Sequence, residues 1–275
     1  MKSGKWDVRI ERARELVSTY PSAAEGLRFY GHIAQFQRSL YGELENQCGT
    51  AQVARAPGTL KQEFDPFVLL PRFGPFLAIV KENAPEPLAR GAAELRATGV
   101  NLWQEILTGY WQTGADSTSA TPDDREASQM FLAWTFLQPY AEYLADYTAR
   151  PPLHSTPSVC PLCSSKPLVG VLRTEGDGGK RFLICSLCAT EWDFRRLVCA
   201  ACGEEDVHKL AVYSAKEIGH VRVEACDTCH QYIKTVDLTK DGHAVPLVDE
   251  LATIPLNLWA AEHGYAKIQS NLLGI

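Results

Sequence analysis

No stretch of this 275-residue chain approaches the roughly 20 consecutive apolar residues that crossing a bilayer as a helix requires, so membrane insertion is not expected. The opening segment, Met1-Lys2-Ser3-Gly4-Lys5-Trp6-Asp7 and the charge-rich Arg9-Ile10-Glu11-Arg12-Ala13-Arg14-Glu15, has neither an apolar h-region nor a small-residue cleavage site. It predicts an unexported, cytoplasmic protein. Positive charge is also scarce: 27 Lys and Arg face 33 Asp and Glu, a net charge of -6 and a pI near 5.7, with no local basic patch. A generic nucleic-acid binder is thereby disfavoured. Signatures of catalysis are missing as well, since there is no His-Glu-x-x-His, no phosphate-cradling glycine loop and no Gly-x-Ser-x-Gly elbow. A protein without enzymatic activity is the expectation.

What the chain does have is cysteine in a pattern. Eight of its nine cysteines form four Cys-x-x-Cys pairs, Cys160/Cys163, Cys185/Cys188, Cys199/Cys202 and Cys226/Cys229, while Cys48 lies far outside and reads as a plain helix residue. Thiolates two residues apart reach two corners of one tetrahedral ion, so two such pairs close a four-sulfur site. In a reducing cytoplasm the thiols stay available for metal.

The first 150 residues read as helices. Ser22-Ala23-Ala24-Glu25 has capping-box form and opens a segment with Leu27, Tyr30, Ala34, Leu40, Tyr41 and Leu44 at mostly helical intervals. Residues 88–111 predict one or two helices broken near Gly99. Thr121-Pro122-Asp123-Asp124 gives a second start, with Met130, Phe131, Trp134, Leu137 and Tyr140 as one buried face and Pro139 as a kink or end. Three prolines between Arg150 and Pro157 then mark a linker.

Beyond it the period changes. Residues 167–173 and 180–185 are β-prone around the turn Glu175-Gly176-Asp177-Gly178-Gly179, and residues 209–214 and 221–226 repeat the pattern around Ala215-Lys216-Glu217-Ile218-Gly219. Each unit is a knuckle, a hairpin and a second knuckle, with 21 residues between knuckles in the first and 23 in the second. An aromatic strand follows each, at residues 191–194 and 232–236. The expected fold is therefore α+β: an all-α N-terminal domain (1–150), a Pro-rich linker (151–157), two tandem rubredoxin-like or zinc-ribbon-like β modules (158–197 and 198–247), and a helical tail (248–275) whose Leu256, Leu258, Trp259 and Ala260 pack on the body.

A hairpin brings its own ends together, so knuckles are expected to pair in chain order: Cys160, Cys163, Cys185 and Cys188 around one ion, Cys199, Cys202, Cys226 and Cys229 around the other. Interleaved pairing needs longer closures. Metals that only hold the fold suit modules with so little core, because a structural ion supplies on the order of 10 kcal/mol of folding free energy. None of the pairs clearly opens a helix, as a thioredoxin-like couple would, and the closely spaced cysteine run of ferredoxins is absent. Zinc and a mononuclear rubredoxin-type iron share one tetrahedron of sulfurs and stay open; Cys160-Pro161-Leu162-Cys163 resembles a rubredoxin knuckle. From Cys160 to Lys240 eleven basic residues balance eleven acidic ones, and eight thiolates around two divalent ions add four negative charges. Nucleic acid is not an expected partner. His208, His220 and His230 lie near knuckles whose ligand positions are already filled by sulfur, so they read as surface or supporting residues, and Glu204-Glu205-Asp206 reads as a solvated loop in preference to a partner contact.

The segment Arg222-Val223-Glu224-Ala225-Cys226-Asp227-Thr228-Cys229-His230-Gln231-Tyr232-Ile233-Lys234-Thr235 resembles the formate dehydrogenase accessory protein family, the FdhE-like proteins. So do Cys185-Ser186-Leu187-Cys188-Ala189-Thr190-Glu191-Trp192, Asp249-Glu250-Leu251-Ala252-Thr253, His263-Gly264-Tyr265-Ala266 and Gly26-Leu27-Arg28-Phe29, in the family's order. The resemblance implies a cytoplasmic maturation chaperone that binds the catalytic subunit of respiratory, molybdenum-containing formate dehydrogenase and is needed for its activity. It also implies rubredoxin-type iron at the eight paired cysteines, with zinc as the alternative. Two departures stand out: the sequence opens almost directly on its first expected helix, so the leading segment often seen in the family is expected to be short or missing, and of the residues after the knuckles, Ser164, Ala189, Gly203 and His230, one is glycine. A rubredoxin-like electron-transfer or redox-sensing protein is the rival expectation, and a zinc-ribbon nucleic-acid regulator a third.

Overall fold

The computed structural model describes residues 2, 4–49, 53–54, 60–62, 64–114, 123–149, 156–175, 178–272 and 274. Thr121, Pro122, most of the proline-rich linker and the turn residues Gly176 and Asp177 lie outside them. Among the described residues are eight α-helices and a mixed sheet. The helical part comprises α1 (Gly4–Thr19), α2 (Ala24–Cys48), α3 (Pro66–Asn83), α4 (Glu86–Thr98), α5 (Val100–Thr113) and α6 (Asp124–Asp146).

Several local expectations are revised. Residues 21–23 form a tight 3-10 turn between α1 and α2, so Ser22 sits inside that turn, and no side chain caps α2. At α6 the cap is Asp123, whose carboxylate accepts from the Glu126 N–H at 2.7 Å. The break between α4 and α5 falls at Gly99, where φ is +97°.

Helix α6 is the axis of the molecule. It is buried on every side from Leu132 to Ala145, where one apolar face was expected. Its ring Phe136 meets Phe73 and Phe76 of α3 and Phe36 of α2 at centroid distances of 4.8, 5.4 and 6.2 Å. Pro139 neither ends nor breaks it, because the helix runs on to Asp146. A proline has no N–H, so the carbonyl four residues back, that of Thr135, loses its helical partner. Gln37 of α2 supplies the replacement: its Nε2 donates to Thr135 O at 2.7 Å and to Gln138 Oε1 at 2.9 Å.

Strands β1 (Val53–Ala54) and β2 (Thr148–Ala149) pair in parallel as a small two-stranded sheet. The main sheet runs in the order β5 (Glu191–Asp193), β4 (Gly178–Cys185), β3 (Pro167–Glu175), β8 (Gln231–Asp237), β7 (Val221–Cys226), β6 (Leu210–Ser214), with β9 (Ala266–Lys267) also pairing with β8. The hairpin β3 and β4 is continued by β5, and β6, β7 and β8 form an antiparallel meander. These bounds follow the expected strands closely. The two ribbons are fused by a parallel seam, Gly170, Val171 and Leu172 of β3 against Thr235, Val236 and Asp237 of β8. A Cβ on residue 170 would lie 2.3 Å from Thr235 Oγ1, so only glycine lets the strands approach this closely. Arg181 adds a cross-link: buried, it donates to the carbonyls of Arg195 and Val198 and pairs with Glu224 Oε2 at 2.5 Å.

Helices α7 (Pro246–Ala252) and α8 (Ile254–Glu262) close the structure. Asp249, fully buried, accepts from Arg12 of α1 at 2.6 and 3.0 Å, from His220 at 2.9 Å and from the Val245 N–H. Glu250 pairs with Lys234 of β8 and Lys267 of β9, all three removed from solvent. In the tail Leu256 and Ala260 are buried as expected, whereas Leu258 is 55% exposed.

Replacing Gln37 with Leu leaves the Thr135 carbonyl buried without its donor. A loss of about 1–3 kcal/mol in unfolding free energy is expected, read from the denaturant midpoint.

Candidate metal centres

Each Cys-x-x-Cys pair sits at a tight turn whose backbone is closed by its own hydrogen bonds. The N–H groups of Ser164, Gly203 and His230 donate to the carbonyls of Cys160, Cys199 and Cys226, and the Cys160, Cys185 and Cys199 N–H groups donate to Ser165, Thr190 and Glu204. The residue after each pair must turn left-handed: φ is +60° at Ser164, +51° at Ala189, +78° at Gly203 and +54° at His230. The four knuckles thus share one geometry although one of them alone has glycine there.

The structure brings the knuckles together in chain order. In the first cluster Cys160 Sγ is 3.6 Å from Cys188 Sγ, and Cys163 Sγ is 3.4 Å from Cys185 Sγ and 3.6 Å from Cys188 Sγ. In the second, Cys199 and Cys229 are 3.8 Å apart and Cys202 and Cys226 3.7 Å. Within each quartet all sulfurs lie within 4.8 Å of one another. Four sulfurs about 2.3 Å from a central ion stand roughly 3.8 Å from one another, while a disulfide holds its sulfurs at about 2.05 Å. All eight are free thiols, spaced for an ion.

Electrostatics agrees with that spacing. Hydrogen bonds from Cys160, Cys185 and Cys188 hold the Cys163 thiol well below its ordinary pKa, whereas burial and the neighbouring sulfurs push Cys185 and Cys188 well above theirs. In the second cluster burial opposes ionisation of Cys226, yet N–H bonds from Cys229 and Thr228 together with bonds from the Cys202 and Cys229 sulfurs lower it overall, while burial raises Cys199 and Cys229. A quartet by itself accommodates a first thiolate and resists the next. A cation at its centre is what would let all four ionise together.

The first cluster is held by the helical part. Trp134 Nε1 and Gln138 Nε2 of α6 both donate to the carbonyl of Ser186, inside the Cys185–Cys188 knuckle, at 3.1 Å. The Leu60 N–H donates to Leu162 O in the Cys160–Cys163 knuckle. Leu162 and Leu187 enter the same core as α6, and the Thr190 hydroxyl lies 3.1 Å from Cys188 Sγ. The second cluster is tied differently. Glu204 accepts from the N–H groups of Glu205 and Asp206 and from the Thr228 hydroxyl at 2.6 Å, which joins one knuckle to the other. The Thr228 bond, with the two N–H groups, lowers its pKa to about 2. Glu204 is therefore a cross-brace, a role that its place in an acidic run concealed.

Of the histidines, His208 and His230 are exposed and His220 is bonded to Asp249. A third group, His220, Asp241 and Asp249, brings imidazole and carboxylates together, but the Arg12 guanidinium already bonds both acids. It is an ion-pair joint. Cys48 is exposed at the end of α2, and among the described residues no helix is long and apolar enough to cross a membrane.

A helical body carrying two fused four-cysteine ribbons defines a class of two-cluster ribbon proteins. Comparison with known proteins finds matches to the FdhE central domain at residues 159–196 and to the FdhE C-terminal domain at residues 197–273. The chain is 29% identical over 284 residues to the Protein FdhE homolog of Aquifex aeolicus, covering 99% of this chain and 96% of that one. It is 29% identical over 272 residues to Protein FdhE of Escherichia coli, covering 96% and 85%. The crystal structure of the FdhE protein from Pseudomonas aeruginosa shares the fold, with a TM-score of 0.70 at 24% identity over 99% of this chain and 96% of that one. The chain is thus similar to FdhE proteins along nearly its whole length, with the two FdhE domain matches falling on the ribbon region and the tail.

Replacing exposed Ser164 with Gly removes the left-handed penalty of a side chain without losing packing. Stability is expected to rise by about 1 kcal/mol, measured as a shift in denaturant midpoint at equal metal content.

Proposed function

We propose that this protein is an accessory factor without enzymatic activity, which binds the catalytic subunit of formate dehydrogenase in the cytoplasm during its maturation. The observation that carries the reading is the pair of sulfur quartets within a chain that is FdhE-like along nearly its whole length. In this reading Cys160, Cys163, Cys185 and Cys188 hold one ion, and Cys199, Cys202, Cys226 and Cys229 a second. The family resemblance favours iron, and zinc fits the same donors. Four protein sulfurs leave no open coordination position, which suits structure or electron exchange and not activation of a bound water. The helical part (1–150) and the tail (248–275) then form the body that presents the two ribbons (158–197 and 198–247), with the linker (151–157) between.

Affinity capture of the tagged full-length protein from formate-respiring cells should recover the formate dehydrogenase catalytic subunit, and deletion should lower formate dehydrogenase activity. Normal activity in the deletion strain together with no recovery of the subunit overturns the reading. Elemental analysis of protein from native cells should give two ions per chain. Visible absorption that bleaches reversibly with dithionite assigns iron, and a colourless protein zinc.

A further inference from the structure

The two sulfur quartets are alike in geometry and differ in access: the second keeps Cys199 and Cys226 buried, at 7 and 1% exposed, and opens at its other two sulfurs. In the first, Cys160, Cys163, Cys185 and Cys188 are 1, 0, 1 and 3% exposed. The second has Cys202 exposed and Cys229 half-buried. The difference begins in the sequence between the paired cysteines. The residue before the second cysteine of each pair is Leu162 and Leu187 in the first cluster, both buried in the main core, and Ala201 and Thr228 in the second, half-buried and exposed. The second cluster is also open from behind, since Cys199 and Cys226 form part of the wall of a cavity of about 160 Å³ between the ribbons. Cys188 of the first borders a polar cleft of about 480 Å³ beside Lys2 and Lys5, yet the Thr190 hydroxyl and the knuckle's own backbone leave it 3% exposed.

We propose that the second cluster, Cys199, Cys202, Cys226 and Cys229, is an exchangeable metal centre. An incoming soft donor, a thiol or a chelating ligand, reaches it from solvent at Cys202 and Cys229, while the first cluster is a closed, permanent one. The inference rests on the metal ligation proposed above. In the exchange step a bond forms between the ion and the incoming donor as the bond to Cys202 Sγ breaks. Cys202 leaves as a thiolate and takes a proton from water, and no electron moves. At the second cluster this needs only side-chain motion at the surface. At the first, the same attack requires Leu162 and Leu187 to leave the core and the Ser186 carbonyl to part from Trp134 and Gln138, a sub-global opening. The second centre thus offers its ion, or a vacated thiolate pair, to molecules outside while the fold stays intact.

The test uses the full chain carrying two zinc ions, mixed with excess EDTA and a metallochromic dye, with N-ethylmaleimide added in a parallel sample and the labelled cysteines mapped by peptide mass spectrometry. One zinc equivalent should leave at least roughly tenfold faster than the other, with early labelling at Cys202 and Cys229 and unchanged far-UV circular dichroism. The variant A201L, which places before Cys202 the leucine that the first cluster carries at the same position and leaves the Thr228–Glu204 brace in place, should slow the fast phase and leave the slow one unchanged. Equal release rates, or first labelling at Cys160, Cys163, Cys185 or Cys188, overturn the inference while leaving the two-ion reading intact. A chain that takes up fewer than two ions overturns both.

Discussion

The carbonyl of Ser186 is the point on which the two halves of the molecule turn. It lies inside a cysteine knuckle, and it accepts from both Trp134 and Gln138 of the central helix. Gln138 is itself held by Gln37, which at the same time repairs the hydrogen bond that Pro139 removes. A defect in one helix, a side chain from a second and a backbone group of the ribbon are thus linked in one network. Buried hydrogen bonds strengthen one another, and this network fixes the angle and height at which the first cluster meets the helical core, although Gln37 Oε1 is itself buried without a partner. The remaining joints repeat the device with charge: Asp249 draws together Arg12, His220 and the start of α7, and Glu250 draws together Lys234 and Lys267.

Much of this was legible in the chain. The Cys-x-x-Cys spacing, the repeat of knuckle, hairpin and knuckle, and the alternating runs are local patterns, and the strands fall within a residue or two of where those patterns put them. The chain-order meeting of the knuckles follows from hairpin closure alone. Harder to see was whatever depends on residues far apart in sequence. The seam that joins β3 to β8 leaves no local trace beyond Gly170, whose meaning appears only once Thr235 lies opposite. Helix α3 carries Pro71 and Pro75 within its span, which hides it from a reading that treats proline as a breaker. Glu204 looked like one member of a solvated acidic run, because nothing in the sequence says that the Thr228 hydroxyl stands within reach.

Duplication of a ribbon does not make two equal ribbons. Once one copy is pressed against a helical body and the other is left at the far side of the sheet, identical knuckle geometry coexists with different access. Leucine before the last cysteine belongs with a core contact, and alanine or threonine with a surface. The backbone conformation, by contrast, is shared: serine, alanine and histidine adopt the left-handed turn that glycine adopts freely. Four sulfur positions and their N–H donors dictate the turn, and the following side chain tolerates it.

The parallel seam also bears on how the chain comes off the ribosome. Strand β3 can pair with β4 as soon as its hairpin emerges, but its other edge waits for β8, about sixty-five residues later. At translation speeds of about 5–20 residues per second, that edge stays unsatisfied for several seconds. The nascent first ribbon therefore passes through a stage in which it is sticky along one side, and the late arrival of β8 both seals that side and fixes the second ribbon in place.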